Sequence, residues 1–406
     1  MNENLDQKYI CEKCGHNFLN KSNLTRHLNK KKPCVNKEII EKKKEENDRL
    51  KGDFNAISLF SGMGGDSLGI VNAGLDLVAY SECKSIFRNT HDENFKNCKL
   101  IGSNYDSNIL KIPDEEFLKY KDKIKLIFAG FPCQGFSNAG KKDVNDPRNT
   151  LFREFLRATR LIKPDYFIGE NVKGLLSRKT ADNKFYIDVI KEEFEKIEYK
   201  VIFKVFKTHE YGIPQKRERL IILGVKKDLN KDIQFPVETN EEVNLKNIIK
   251  FNMKGAIKIS DKDFAKFKVP EECILTNNEN EEDENNPHPY LKSIYNKKNI
   301  EYKGKTHDIL FSFGKRDSPI HCEIININNP SKTIICTYEH QPRLFVPLKN
   351  KNGYYLRCML PDELKQIQGF PADFKICGNE KEQIIQIGNA VPPPLIEKII
   401  RENISI

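Results

Sequence analysis

Along residues 54–225 short apolar runs alternate with amphipathic stretches: AISLF, LDLVAY, KLIFAG, DYFIGE, YKVIFKVF and RLIILGV follow one another between polar or turn-forming segments. Runs this short, rich in β-branched and aromatic side chains, suit buried strands, and intervening segments such as 150–162 and 183–197 carry helical spacing. The alternation predicts βαβ units around a mostly parallel sheet, an α/β domain. After Val225 the regularity fades, and 276–286 (TNNENEEDENN) is acidic and polar and predicts an exposed loop. Regular signals return with PDELKQIQGFP, where Pro361 in a first turn and a later glycine frame a helix, and with the closing PPPLIEKIIREN. Ahead of the α/β pattern, 36–52 is a mixed charge run with few apolar positions, which reads as a linker. The expected organisation is a compact unit at 9–34, a charged linker at 35–53, a first domain at 54–229, a less regular second domain at 230–335, and a C-terminal segment, 336–406, that returns to the first domain.

Composition narrows this picture only a little. The 406 residues are enough for two or three domains, and 38% hydrophobic residues supply a core for at least one of them. An excess of 68 basic over 58 acidic residues gives a formal net charge of +10, which suits a polyanionic partner but also follows from a lysine-rich surface. No segment has the apolar length of a signal peptide or a bilayer span, so a soluble, intracellular protein without a membrane partner is expected. In that reducing setting the 11 cysteines divide among metal ligands, reactive thiols and small buried side chains rather than forming a disulfide framework.

Three of the metal-binding type stand together with a histidine. Cys11, Cys14, His27 and Cys34 follow the spacing C-x2-C-x12-H-x6-C. Two thiolates on a hairpin, with an imidazole and a third thiolate near a helix end, make a closed tetrahedral set suited to Zn²⁺, and so short a unit needs such a staple to fold. The unit resembles ββα zinc fingers of the two-Cys, two-His type, with Phe18 and Leu24 where those place their small core and KSNLTRHL as the helix; it departs in its last ligand, Cys34. The resemblance puts Asn20, Asn23 and Arg26 at the helix positions that read bases, and it leaves open whether the finger contacts DNA or protein.

Within the α/β pattern, two features point to an adenosine-containing ligand. The first strand ends in Leu59-Phe60-Ser61-Gly62-Met63-Gly64-Gly65, a glycine-rich turn entering a helix, where a ligand can approach the backbone and Phe60 can cover an aromatic base. The second ends in Ser81-Glu82, and an acidic residue about twenty residues after the glycines can accept both ribose hydroxyls. The third strand leads into Gly130-Phe131-Pro132-Cys133-Gln134-Gly135-Phe136-Ser137. There Cys133 stands on a Pro/Gly-rich loop after a strand, the setting of a reactive thiolate rather than of a packing residue.

Phe60-x-Gly-x-Gly, Gly-Phe-Pro-Cys-Gln-Gly-Phe-Ser, Glu170-Asn171-Val172, Gln215-Lys216-Arg217-Glu218-Arg219, Gln368-Gly369-Phe370-Pro371 and Gly388-Asn389-Ala390-Val391 occur in that order over 54–400. In this the chain resembles the DNA (cytosine-5) methyltransferases. The resemblance implies a Rossmann-like, S-adenosylmethionine-dependent methyltransferase fold in 54–229 and a smaller target-recognition domain in 230–335. It also implies methyl transfer to C5 of a cytosine flipped out of double-stranded DNA. C5 is a poor nucleophile until a thiolate adds at C6; Cys133 is the implied thiolate, Glu170 the carboxyl group at N3 and Arg219 the guanidinium at O2, with Arg217 nearer the backbone and catalytic loop. For the cofactor the resemblance adds Pro132 and Asn389 to Phe60, Gly62, Gly64 and Glu82. The adenine amino group falls to Asn108 when Ile109-Leu110-Lys111-Ile112-Pro113 is taken as anchor, with Asp106 a competitor, and Cys83 stands where relatives often carry an aromatic. Residues 134–149 read as a loop that closes over the flipped nucleotide, with Lys141 and Lys142 meeting phosphate. A monomer acting beside a restriction endonuclease is a further expectation. The rival is a tRNA cytosine-5 methyltransferase on the same scaffold, whose loop reads Pro-Pro-Cys and whose recognition region is short. A zinc-finger protein that keeps the fold for DNA binding alone is opposed by the presence of Cys133, Glu170 and Arg219.

Overall fold

The computed structural model describes residues 9–11, 17–18, 21–29, 52–132, 151–180, 182–239, 241–277, 286–297, 299–302, 304–307, 310–316 and 321–405. Cys14, Asn20, Cys34, Cys133, Lys141 and Lys142 lie outside the described residues, as does most of the acidic stretch. The chain divides into two compact units, Met1–Asp53 and Phe54–Ile406.

In the first unit, strands β1 (Tyr9–Ile10) and β2 (Asn17–Phe18) pair antiparallel, Tyr9 opposite Phe18, and the helix Lys21–Leu28 follows. Cys11 is buried and His27 half-buried. Among the described residues no group of three His, Cys, Asp or Glu could hold a metal; two of the four expected zinc ligands, Cys14 and Cys34, are not among those residues.

The second unit opens with β3 (Asn55–Leu59), β4 (Asp76–Ser81), β5 (Lys99–Leu100), β6 (Leu126–Ala129), β7 (Tyr166–Val172), β8 (Tyr199–Lys207), β9 (Gln215–Lys216) and β10 (Glu218–Lys226). All but β9 form one sheet in the order β5-β4-β3-β6-β7-β10-β8, parallel from β5 to β7 and antiparallel where β10 meets β7 and β8. Both faces of the parallel part are covered, which is why β3 and β6 are buried throughout and read as continuous apolar runs. The helix Leu151–Ile162 buries Leu151, Phe152, Phe155, Ala158, Thr159 and Ile162, one face at a spacing of three to four. Phe155 meets Phe167 of β7 edge-on at 5.5 Å between centroids, and burial of such a ring contributes about 1.5–3 kcal/mol. The closing helix Pro393–Asn403 returns to this sheet: Ile396, Ile399 and Ile400 share a core with Ala56, Phe128 and Tyr166.

A second sheet runs Ile257–Ile259, Gly353–Cys358, Leu344–Asn350, Cys322–Ile324, Phe311–Phe313, with Leu275–Thr276 also paired to Leu344–Asn350. It draws strands from both sides of residue 335. Fully buried Arg357 donates to both carboxylate oxygens of Glu363, at 2.6 and 2.8 Å, and to Lys250 O at 2.8 Å, so this sheet is tied to the helix Pro361–Ile367. Among the described residues no helix is long and apolar enough to cross a membrane.

Candidate active site

The order of the first sheet fixes where a ligand can sit. The chain winds outward from β3 to β5 and then returns to β6 on the other side of β3, a reversal that opens a crevice at the carboxyl ends of β3 and β6. Phe60 leaves β3 there and Pro132 follows β6. Phe60 holds a left-handed backbone, φ 56°, as do Gly62 and Gly64, and a side chain on Gly64 would strike the Phe95 ring at 2.5 Å. Over Gly62 the space is open, its nearest neighbour being the Phe87 ring at 4.0 Å from where a Cβ would stand.

Glu82, just past β4, closes this turn. Its Oε2 accepts from Gly62 N at 3.0 Å and its Oε1 from Lys84 N at 2.8 Å. Each oxygen keeps a lone pair for a donor such as a ribose hydroxyl. Two neighbours that carried no motif signal brace it. Ser107 Oγ accepts from Glu82 N at 3.2 Å, and one Arg88 nitrogen donates to the carbonyls of Glu82, Cys83 and Asp106, binding the β4 end to the following loop. Asp106 is exposed, whereas Asn108 is half-buried with its Oδ1 accepting from Leu110 N at 3.2 Å. Cys83 is exposed, and burial with the Glu82 carboxylate beside it raises its thiol. Asn389 is exposed and its amide donates to Ile385 O, 2.8 Å away in its own helix. An open glycine turn and a carboxylate at a strand-order reversal fit an adenosine-bearing cofactor.

Glu170 and Arg219 are brought together by strand register. Glu170 of β7 lies opposite Ile221 of β10, so Arg219, two residues away, is its diagonal neighbour on the same face. Arg219 Nε stands 2.7 Å from Glu170 Oε1, with the two side chains 15% and 12% exposed: sheltered enough for a strong pair, open enough to meet a substrate. The next residue, Asn171, has a task the sequence did not assign. Buried, it donates to Phe131 O at 3.1 Å, fixing the root of the segment that leads to Cys133, while its Oδ1 accepts from Val172 N.

Arg217 is fully buried and reaches the C-terminal segment. Its terminal nitrogens donate to Ile334 O at 3.0 Å, to Gly388 O at 3.3 Å and to Ala390 O at 3.2 Å. Two-residue spacing would put Arg217 and Arg219 on one face of a regular strand. The chain is not regular here: Arg217 N donates to Gln215 O at 3.1 Å, a tight turn between β9 and β10, and Arg217 still feels both Arg219 and Glu170. Burial, with Arg219 adding to it, pushes the Arg217 pKa well down. Beside it Gln215 and Gln368 are hydrogen-bonded side chain to side chain, Gln215 Oε1 accepts from Ile334 N at 3.1 Å, and Gln368 donates to Ala390 O. A Cβ on Gly388 would lie 2.4 Å from Cys336 N, so only glycine lets these segments meet.

The sequence was compared with known proteins against this geometry. The profile of the family described as "C-5 cytosine-specific DNA methylase" matches residues 54–405. Type II methyltransferase M.FnuDI of Fusobacterium nucleatum is 31% identical over 357 residues, 86% of this chain and 94% of that protein. Type II methyltransferase M.SsoII of Shigella sonnei is 28% identical over 87% of this chain and 81% of its own length. Among solved structures, Spodoptera frugiperda DNMT2 superposes with a TM-score of 0.55 at 17% identity, covering 85% of this chain and 98% of that one, a likeness of fold alone. With the family profile spanning the whole second unit and relatives aligned over most of their length, the chain belongs to the C-5 cytosine-specific DNA methylase family and is an S-adenosylmethionine-dependent DNA cytosine-5 methyltransferase.

Proposed function

We propose that methyl transfer runs through a covalent adduct between Cys133 and C6 of a cytosine turned out of the duplex. The observation that carries this reading is the sheltered Glu170–Arg219 pair on the strand beside β6, where Asn171 also holds the Phe131 carbonyl two residues ahead of Cys133 in the sequence. As Cys133 Sγ bonds to C6, the C5–C6 double-bond electrons move toward C4 and N3. Glu170, in its protonated form, gives a proton to N3 and takes it back when the C5–C6 double bond re-forms, and Arg219, oriented by Glu170, donates to O2; both count most as charge grows on the ring. S-adenosylmethionine, when bound, supplies the electrophilic methyl group for C5. Loss of the C5 proton then returns the electrons and expels the thiolate. Turning the base out costs a few kcal/mol, and contacts of Lys141 and Lys142 with phosphate offset part of it.

Phe60, Gly62, Gly64, Glu82, Pro132 and Asn389 form the cofactor site, with Glu82 on the ribose hydroxyls. The adenine amino group falls to Asn108, whose Oδ1 accepts from Leu110 N and keeps a lone pair, with the exposed Asp106 carboxylate as competitor. Target recognition belongs to the second sheet, from about residue 230 through Cys358 rather than ending near 335, because the strands Leu344–Asn350 and Gly353–Cys358 complete it. The relatives' Type II designation supports a role as the modification partner of a restriction endonuclease. Bisulfite sequencing of plasmid DNA from cells making the full chain should find protected cytosines in one sequence context, and none with Cys133→Ala. Full conversion of every cytosine in the presence of folded wild-type protein would refute the reading.

Cys11, Cys14, His27 and Cys34 hold Zn²⁺ in this reading, supported by their spacing and by the strand pair and helix around Cys11 and His27. Because the chemistry above needs no metal, the two units are separable. Elemental analysis should find about one zinc per chain, chelation should remove it without abolishing turnover, and protein starting at Gly52 should still methylate. If Arg26 and the asparagines touch DNA, that shortened protein binds with a shallower salt dependence; an equal slope favours a protein contact. A chain without zinc would refute the assignment.

A further inference from the structure

The chemistry above leaves one buried acid without a task. Asp66, 2% exposed, stands in the first turn of the helix Gly65–Asn72, directly after Gly62 and Gly64. Ser58, fully buried on β3 between Tyr80 of β4 and Phe128 of β6, donates its hydroxyl to Asp66 Oδ2, and the amides of Asp66 and Ser67 reach the same carboxyl group. The other carboxylates sheltered in this unit face cations: Glu363 has Arg357, Glu323 has Lys332 at 2.7 Å and Glu170 has Arg219. Among the described residues no cation pairs with Asp66, and the charged group that raises it, Glu170 of β7, is itself paired with Arg219.

The remaining surroundings are neutral. From the helix Ser85–Asn94, His91 Nε2 meets Ser67 Oγ at 3.0 Å while its ring stacks on Tyr80, whose hydroxyl donates to Asp92. Burial pushes His91 down to about 3, so it carries no charge near neutrality. From the C-terminal side, the atoms nearest to Gly65 and Gly69 are the carbonyls of Val391 and Pro393, the backbone nitrogen of Glu397 and apolar atoms of Phe370 and Ile396. Burial, only partly opposed by Ser58 and the two amides, raises Asp66 to about 7.

We propose that Asp66 is the proton-linked counter-charge of the cofactor turn: it holds a proton in the unliganded protein and releases it when a sulfonium cation binds, favouring S-adenosylmethionine over S-adenosylhomocysteine. The product carries a neutral thioether in place of the sulfonium, so it lacks the charge that draws the proton off. Asp66 thereby lets go of spent cofactor more readily than fresh cofactor, through the turn it supports rather than by contact. This rests on the assignment of Phe60, Gly62, Gly64 and Glu82 to the cofactor.

The test is titration calorimetry of the full chain with each ligand from about pH 6 to about pH 8.5, in two buffers of different ionisation enthalpy. S-adenosylmethionine should release a fraction of a proton more than S-adenosylhomocysteine, whose amino and carboxylate groups are otherwise the same, and should tighten by up to about tenfold per pKa unit displaced. Asp66→Asn, which keeps the shape and cannot ionise, should lose the excess release and the extra pH slope and should bring the two affinities closer. A purely structural role would shift both ligands equally. The unliganded protein gives a second readout. A raised acid contributes stability that is complete below its unfolded value and lost as pH rises through about 7, so wild-type Tm should fall over that range relative to Asp66→Asn. If Asp66→Asn does not fold, proton release by the wild type decides alone. Equal release with both ligands, or an unchanged slope in Asp66→Asn, overturns the proposal while leaving the cofactor site intact. Failure of the site reading looks different: Glu82→Ala would leave both affinities untouched, and the proposal would fall with it.

Discussion

DNA carrying 5-fluorocytosine at the target position is expected to capture the wild-type chain as a covalent adduct when S-adenosylmethionine is present, and the Cys133→Ala chain is expected to form none. Fluorine replaces the C5 hydrogen that must leave as a proton before the thiolate can depart, so the reaction halts with the methyl group transferred and sulfur still on C6. On ordinary DNA, Cys133→Ala should lose on the order of 10⁴-fold or more in turnover, because the groups around the ring act on a species that the thiolate creates. Binding of DNA and cofactor, measured without turnover, should change little. Glu170→Gln should fall between, forming the adduct more slowly by roughly 10²- to 10⁴-fold, the range for loss of one positioned acid. The readout is a denaturant-resistant shift in electrophoretic mobility or mass. An adduct in Cys133→Ala would hand the chemistry to another thiol, and Cys336, half-buried on the segment packed against Gly388, is the one to examine next.

How much of this was legible in the sequence depended on whether a residue's task is set by local spacing or by strands distant in the chain. The parallel sheet was legible because its strands are buried on both faces and stand out as apolar runs, and the helices Leu151–Ile162, Tyr186–Lys196 and Pro361–Ile367 because each shows one apolar face or a proline start. The second sheet was not. Ile257–Ile259, Phe311–Phe313 and Cys322–Ile324 are too short for a period of two to emerge, and their partners lie far along the chain. One signal was readable: Lys351-Asn352 between LFVPLKN and GYYLRC is a two-residue hairpin turn, with Asn350 opposite Gly353 in the ladder and Gly353 at φ 127°. Glu82, Glu170 and Arg219 could be named as candidates because a motif marks each of them, and strand register brings the last two together. Ser107 and Arg88 carry no such mark; one is a common hydroxyl, the other a surface arginine until the fold turns it onto three carbonyls. Arg217 was named, but its direction depends on the turn at Gln215, which spacing alone does not reveal.

That turn supports the sharpest contrast between two neighbouring arginines. Arg217 binds three carbonyls from two segments, Ile334 on one side and Gly388 and Ala390 on the other, and it is buried where water cannot replace it. A lysine ammonium in its place keeps the charge but is a single point and cannot span all three. Each lost hydrogen bond to a charged group contributes about 1.5–3 kcal/mol, and a carbonyl left dry adds to the loss. Arg217→Lys is therefore expected to destabilise the chain by about 2–4 kcal/mol in denaturant titration. Arg219 holds one carboxylate at a partly open site, so Arg219→Lys should keep that charge pair and most of the stability. It should instead lose the planar fork aimed at the base and with it roughly 10- to 100-fold in kcat. Cofactor affinity separates the two further: Gly388 and Ala390 flank Asn389, so loosening their carbonyls should raise KM for S-adenosylmethionine in Arg217→Lys, whereas Arg219→Lys should leave it unchanged. The reverse pattern, full stability with a large fall in kcat for Arg217→Lys, would return Arg217 to the catalytic groups and show that its carbonyl contacts yield to a substrate.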